Sequence, residues 1–190
     1  MTVQGPLTAI VTSSNEVILY KDGVKSSAFT TKGFSPTAIS ISPNAQSLAV
    51  GGDDNKIHLY NISDNAEKAV LEENRGVITA LAYSPDGKYL AVGDAQRAIL
   101  VFNCETNKVD IDQWVFHSSR INSICWSPNS KRLVSCSLDT NIEVWSVDEP
   151  TKHIAIKNAH LDSATNVVFL DDVTIASTGA DAFIRVYSLE

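Results

Sequence analysis

The sequence predicts an all-β protein made of a repeated four-stranded sheet, a partial propeller of about four and a half blades. Three observations carry this. A motif recurs along the chain: SPNAQSLAVGGDDNKIHLYNI begins at Ser42, SPDGKYLAVGDAQRAILVFNC at Ser84 and SPNSKRLVSCSLDTNIEVWSV at Ser127, spacings of 42 and 43 residues. A divergent copy, LDDVTIASTGADAFIRVYSL, begins at Leu170, and a truncated one, LTAIVTSSNEVILYKDG, precedes the first. The aromatic residues Tyr20, Tyr60, Phe102, Trp145 and Tyr187 then hold one phase in every copy. Finally, each copy consists of short apolar runs broken by Ser-Pro-Asn, Ser-Pro-Asp-Gly and Asp-containing turns, which are strand and hairpin signals.

Taken in order, the first repeat (residues 1–32) reads as a partial blade with strands at LTAIVTS, EVILYK and SSAFTT, lacking its innermost strand. Full blades are expected over residues 33–74, 75–116 and 117–159. Runs such as SLAVGG, KYLAVG and IEVWSV are apolar at neighbouring as well as alternate positions, which suits strands covered on both faces by stacked sheets. The last blade, residues 160–190, offers TNVVFL, TIASTG and FIRVYSL and lacks an outer strand, so the expected total is eighteen strands. An open arc of that kind exposes apolar faces and an unpaired edge. The expectation is that Met1 is a truncated start, that upstream blades of a parent chain complete the ring, and that this chain alone self-associates or is unstable.

Composition narrows the function classes. A chain of 190 residues, 44% hydrophobic and 19% charged, can bury a sizeable core as one domain. The net charge of −7 is scattered, with no basic face for nucleic acid or anionic lipid. The N-terminal run lacks a cationic leader and a long apolar stretch, so the expected location is cytoplasmic. Cys104, Cys125 and Cys136 form no C-x-x-C pair and read as small core residues, and His58 and His153 read as isolated strand-face residues rather than metal ligands. No cofactor is implied.

His117, Ser135 and Asp139 supply the residue types of a hydrolytic triad. Ser135, however, lies in a strand run between Val134 and Cys136, with no G-x-S-x-G elbow to expose it. Together with Ser127-Pro128 and Trp145-Ser146 these residues resemble the WD-repeat family. The resemblance implies that His117, Ser135, Asp139 and Trp145 form a buried hydrogen-bond chain that ties a blade together, with His160, Ser177, Asp181 and Tyr187 as its counterpart in the last blade. Lys32 and Asn74 stand at the phase of His117, and Gln96 where Asp54 and Asp139 stand, so the chain is complete in one blade.

Order and degeneracy of the repeats resemble, more narrowly, the WD-repeat actin-interacting proteins, partners of cofilin. That implies a non-enzymatic regulator of actin filament disassembly, associated with the cytoskeleton, whose contacts with actin and cofilin lie largely in a first propeller; this chain resembles part of the second. If it binds protein, the expected rim is Arg75, Asn74, Arg120, Asp53, Asp94, Leu138 and Ala180, beside His117. A scaffold subunit of another pathway, such as a ubiquitin-ligase, trafficking or signalling adaptor, is the alternative, and a hydrolase a distant third.

Overall fold

The computed structural model describes residues 1–189, so Glu190, the last residue of the expected 160–190 blade, lies outside them. These residues form nineteen strands and no helix. The first sheet holds β1 (Thr2–Gln4), β2 (Leu7–Val11), β3 (Glu16–Lys21) and β4 (Val24–Thr30); the second β5 (Pro36–Ile41), β6 (Ser47–Gly52), β7 (Ile57–Asn61) and β8 (Glu67–Leu71). The third holds β9 (Ile78–Tyr83), β10 (Tyr89–Asp94), β11 (Ile99–Asn103) and β12 (Lys108–Trp114), and the fourth β13 (Ile121–Trp126), β14 (Arg132–Ser137), β15 (Ile142–Ser146) and β16 (His153–Ile156). The fifth has three strands, β17 (Ala164–Phe169), β18 (Thr174–Gly179) and β19 (Ile184–Ser188). Each sheet is an antiparallel meander, and the inner strands β5, β9, β13 and β17 follow one another around the centre.

One expectation is corrected. The first sheet does have an innermost strand: β1 pairs with β2 in the register Thr2↔Ala9, Val3↔Thr8, Gln4↔Leu7. Three residues with a single apolar side chain, Val3, show no periodicity in sequence. The hairpin is made by Gly5 at φ 56°, a left-handed conformation that glycine adopts without a Cβ penalty.

Turn chemistry explains why the repeats fold alike. Ser42, Ser84 and Ser127 each accept a hydrogen bond at Oγ from the amide that opens the next strand, Ser47, Tyr89 and Arg132 respectively, all at 2.9 Å. Each hydroxyl in turn donates to the Asn44, Asp86 or Asn129 side chain within the turn. The hairpins between second and third strands each carry a left-handed residue: Asn15, Asn55, Arg97, Thr140 and Ala182.

The core lies between sheets rather than in one place. Leu7, Ala9, Val17 and Leu19 pack on Ile39, Ile41, Leu48 and Val50. The other face of the second sheet, with Ala49, Ile57 and Leu59, meets Ile78, Leu90 and Val92 of the third. Val101, Ile99 and Trp114 then meet Ile121, Trp126 and Trp145, and Val134, Cys136 and Ile142 meet Ala164, Val167 and Ile175. Residue size alternates along the second strands to permit this stacking. Leu48 and Val50 face backwards, while Ala49 and Gly51 face forwards, and a Cβ on Gly51 would stand 2.3 Å from Ile78 Cγ2. No such partner covers the forward face of the fifth sheet among the described residues: Ile184 and Val186, at the positions of the buried pairs Ile57/Leu59, Ile99/Val101 and Ile142/Val144, are 74% and 60% exposed.

Candidate functional site

The residues of the apparent triad do come together. His117 follows β12, Ser135 lies mid-β14, Asp139 opens the turn after it and Trp145 is in β15. Trp145 Nε1–H donates to Ser135 Oγ at 2.9 Å. Ser135 and His117 Nε2 are 2.8 Å apart, and His117 Nδ1 lies 3.0 Å from Asp139 Oδ2. The arrangement is directional: indole N–H to hydroxyl oxygen, hydroxyl proton to Nε2, and Nδ1–H to carboxylate. The backbone amides of Ser118 and Asn141 also donate to Asp139, at 2.7 and 3.0 Å. Burial alone would raise the Asp139 carboxyl. The hydrogen bonds from His117 and Ser118 outweigh it and hold the pKa at about 2.

Geometry of this kind serves hydrolysis only if the nucleophile can be reached. Ser135 is fully buried and His117 is 2% exposed, so a substrate carbonyl has no approach to Oγ. What the chain of bonds does is join the β12–β13 connection, β14 and β15 through satisfied buried polar groups.

In the fifth sheet, His160 Nε2 is 2.8 Å from Ser177 Oγ and Nδ1 is 2.9 Å from Asp181. Tyr187 is not the terminal donor expected there: its hydroxyl donates to the Ala159 carbonyl at 2.9 Å, since a phenol is too differently shaped to present a proton where the indole N–H sits. Arg185 adds a bond to Asp181 at 2.7 Å. Burial raises the Asp181 carboxyl, and the Leu161 amide, Arg185 and His160 bring it well below the usual range.

The second and third sheets solve the same turn differently, which the sequence reading missed. His58, read as an isolated strand-face residue, is buried and reaches Asp54 Oδ2 at 3.1 Å and Glu67 Oε1 at 2.7 Å, its ring stacked on Phe34 with centroids 3.8 Å apart. It approaches from the third strand, at the position of Arg185; the Asp-x-x-x-His spacing, matching Asp181-x-x-x-Arg185, was the available signal. In the third sheet Gln96 does not accept the turn amides, and Asp94 does so instead, with Oδ1 2.9 and 3.0 Å from the amides of Gln96 and Ala98.

Two rim expectations are therefore corrected. Asp94 is fully buried: its Oδ1 serves its own turn, and its Oδ2, among the groups that line the neighbouring cleft, has no hydrogen-bond partner among the described residues. Asn74, at the His117 phase, is 7% exposed, its side-chain amide without a hydrogen-bond partner among the described residues. Neither side chain is exposed on the rim. Arg75, Arg120, Asp53 and Ala180 are exposed, and Leu138 is 50% exposed. Arg75, Arg120 and Leu138 line one cleft of about 830 Å³ with Val115 and Arg97; Asp53 and Ala180 lie outside it. Arg97 was missed because it occupies the tip of a hairpin, in the left-handed conformation at φ 70°, and its direction depends on that turn.

A family model described as "WD domain, G-beta repeat" matches residues 25–61, 66–103 and 111–146. The chain is 41% identical over 189 residues to the 66 kDa stress protein of Physarum polycephalum, covering 98% of this chain and 31% of that protein. It is 38% identical over 186 residues to actin-interacting protein 1-2 of Arabidopsis thaliana, covering 96% of this chain and 30% of that protein. With actin-interacting protein 1 of Drosophila melanogaster it shares 39% identity over 160 residues, 83% of this chain and 26% of that protein. The chain thus spans roughly 30% of the length of the curated relatives it matches.

Proposed function

The chain belongs to the WD-repeat family, and from that premise we propose that it is a non-enzymatic protein-binding segment of an actin-interacting protein, acting with cofilin in actin filament disassembly in the cytoplasm and cytoskeleton. The observation that carries the reading is the cleft in which Arg75, Arg97 and Arg120 converge beside exposed Leu138 and Val115. Guanidinium groups are fixed forks that pair bidentately with carboxylates, and exposed apolar side chains next to them give the desolvated centre that protein contacts use. Such a cleft suits an acidic protein surface. The names of the Arabidopsis and Drosophila relatives support actin as its owner. Ser135, buried within its hydrogen-bond chain, supports a binding rather than a catalytic role.

Co-sedimentation tests this. The chain should pellet with actin filaments that carry cofilin, more weakly as salt rises, because exposed charge pairs are screened. Arg75→Glu combined with Arg120→Glu should reduce pelleting about tenfold or more while leaving the unfolding midpoint unchanged. Equal pelleting of the charge-reversed and parent chains, or none by either, would defeat the proposal.

A further inference from the structure

The second strands of the last four sheets end where the aspartate turn begins, so the residue in that place can be compared from sheet to sheet. The last residues of β6, β14 and β18 are Gly52, Ser137 and Gly179, whereas β10 ends on Asp94. In the fourth sheet Ser137 Oγ accepts the Asp139 amide at 3.1 Å, the bond that Asp94 Oδ1 accepts from the Gln96 amide in the third. One oxygen is enough for the turn. Asp94 brings a second, Oδ2, which is buried and has no hydrogen-bond partner among the described residues. A carboxylate oxygen in that state is costly, and nothing in the turn requires it.

Orphaned polar groups gather in this part of the molecule. Of the five buried side-chain atoms without a partner among the described residues, three belong to the third sheet and the connection that enters it: Asp94 Oδ2 and both amide atoms of Asn74.

Asp94 lines two clefts. One is the arginine cleft; the other, of about 370 Å³, shares with it Arg75, Asp94, Ala98 and Val115. Charge distinguishes the second. Glu73 and Asp112, both exposed, line it, so that with Asp94 three carboxylates stand against the single guanidinium of Arg75. The rest of its lining is aliphatic: Ala98 and Val109 are half-buried, Val115 is 52% exposed and Leu100 is buried.

We propose that this second cleft receives a lysine side chain of a partner polypeptide, its stem along Ala98, Val109 and Val115 and its ammonium on Asp94 Oδ2, with Glu73 and Asp112 beside it. An ammonium suits the site better than a guanidinium. With Oδ1 held by the amides of Gln96 and Ala98, Asp94 offers one free oxygen and cannot meet a bidentate fork, whereas an ammonium is a point charge whose three protons can be shared among separate carboxylates. Arg75, exposed and common to both clefts, turns toward the arginine cleft to uncover the oxygen. The proposal rests on the reading of this rim as a protein-binding surface and adds to it: the bound segment carries a lysine next to its acidic residues, so that each cleft takes the charge opposite to its own.

The probe is Nα-acetyl-lysine methylamide, titrated into the full chain labelled with nitrogen-15. Saturable shifts are expected in the Gln96 and Ala98 amides, which sit on the other oxygen of Asp94, and in those of Val109 and Val115, with an affinity about tenfold or more above that of the arginine and norleucine analogues. Asp94→Asn keeps an Oδ1 for the turn and replaces Oδ2 by an amide nitrogen, and Asp94→Ser copies the fourth sheet. Both should retain the parent's circular dichroism and lose about tenfold or more in affinity for the probe. Arg75→Ala should bind the probe about twofold more tightly, through loss of a like charge, while weakening filament pelleting. Absence of a saturable shift in the parent chain up to about 50 mM overturns the site, as does affinity that survives both Asp94 substitutions. Shifts with spermidine and none with the lysine amide would overturn the side-chain source. The titration contains no actin, so it can fail while the co-sedimentation succeeds, and the reverse.

Discussion

Glu143 is one of the buried residues whose side chain is incompletely satisfied among the described residues. It sits in β15 behind the ring cluster of Trp145, Phe116 and His153, buried, with Oε2 3.6 Å from His153 Nε2 and lacking a hydrogen bond. Burial raises its carboxyl pKa to about 7 from an ordinary 4.5, against the opposing pull of His117. The unfolded chain then releases this proton at lower pH than the folded one. Between pH 4.5 and about 7 the folded state binds more protons, so this residue's contribution makes stability fall as pH rises and reach its floor above about 7. Asp139 works in the opposite sense at a separate pH: held at about 2 against an ordinary 3.8, it contributes stability above that value which is lost as pH falls toward 2. Glu143→Gln should raise stability at about pH 8 by roughly 1–3 kcal/mol and flatten the decline between pH 5 and 7 in urea titrations. A variant that keeps the parent's slope would show that Glu143 is ionised in the fold.

Among elements, the aspartate turn between second and third strands is the common problem, and each sheet uses what its sequence offers. His117 serves Asp139 from the connection before the sheet, His58 serves Asp54 from the third strand, Arg185 and His160 share Asp181, and Asp94 caps its turn with no basic hydrogen-bond partner among the described residues. The fourth sheet depends most on one residue, since His117 bridges Asp139 and Ser135 while Ser135 also receives Trp145. His117→Ala is expected to cost about 1–3 kcal/mol by leaving buried groups without partners, measured as a lower midpoint in thermal unfolding. Amide exchange should accelerate first in β14 and β15, which the imidazole joins to the connection from β12. An unshifted midpoint would mean that water replaces the imidazole at no cost.

At the scale of the whole molecule, the four inter-sheet layers are followed by a fifth face with the same construction and, among the described residues, nothing upon it. Ile184, Val186 and Val168 are exposed on the forward side of the last sheet, where Ala176 and Thr178 repeat the small second-strand positions of the covered layers. The backward side of the first sheet carries Ile10 and Ile18, paired across β2 and β3, at the positions where Val50 and His58 stand in the second sheet. Two copies can meet last sheet to first sheet with bulky residues against small ones, an open-ended head-to-tail contact. Sedimentation velocity of the chain at about 10–100 μM should show concentration-dependent growth, and Ile184→Asp, which would bury an unpaired charge in that contact, should shift it toward monomer. Identical profiles for the two proteins would place any association elsewhere.

The repeat period, the strand order within each sheet and the covered-on-both-faces character of the strands were readable in the sequence, and the partners of His117 in its resemblance to the WD repeats. They depend on residues a fixed number of positions apart within one supersecondary unit, and the serine and aspartate turns enforce that spacing locally. The three-residue strand β1 was too short to leave a pattern. Burial of Asn74 and Asp94, the capture of Asp54 by His58, the hydroxyl direction of Tyr187 and the convergence of Arg75, Arg97 and Arg120 were decided by tertiary structure alone. In each case the deciding contact crosses between strands, turns or neighbouring sheets, where side-chain size and the hand of a turn select among partners that are equally available along the chain.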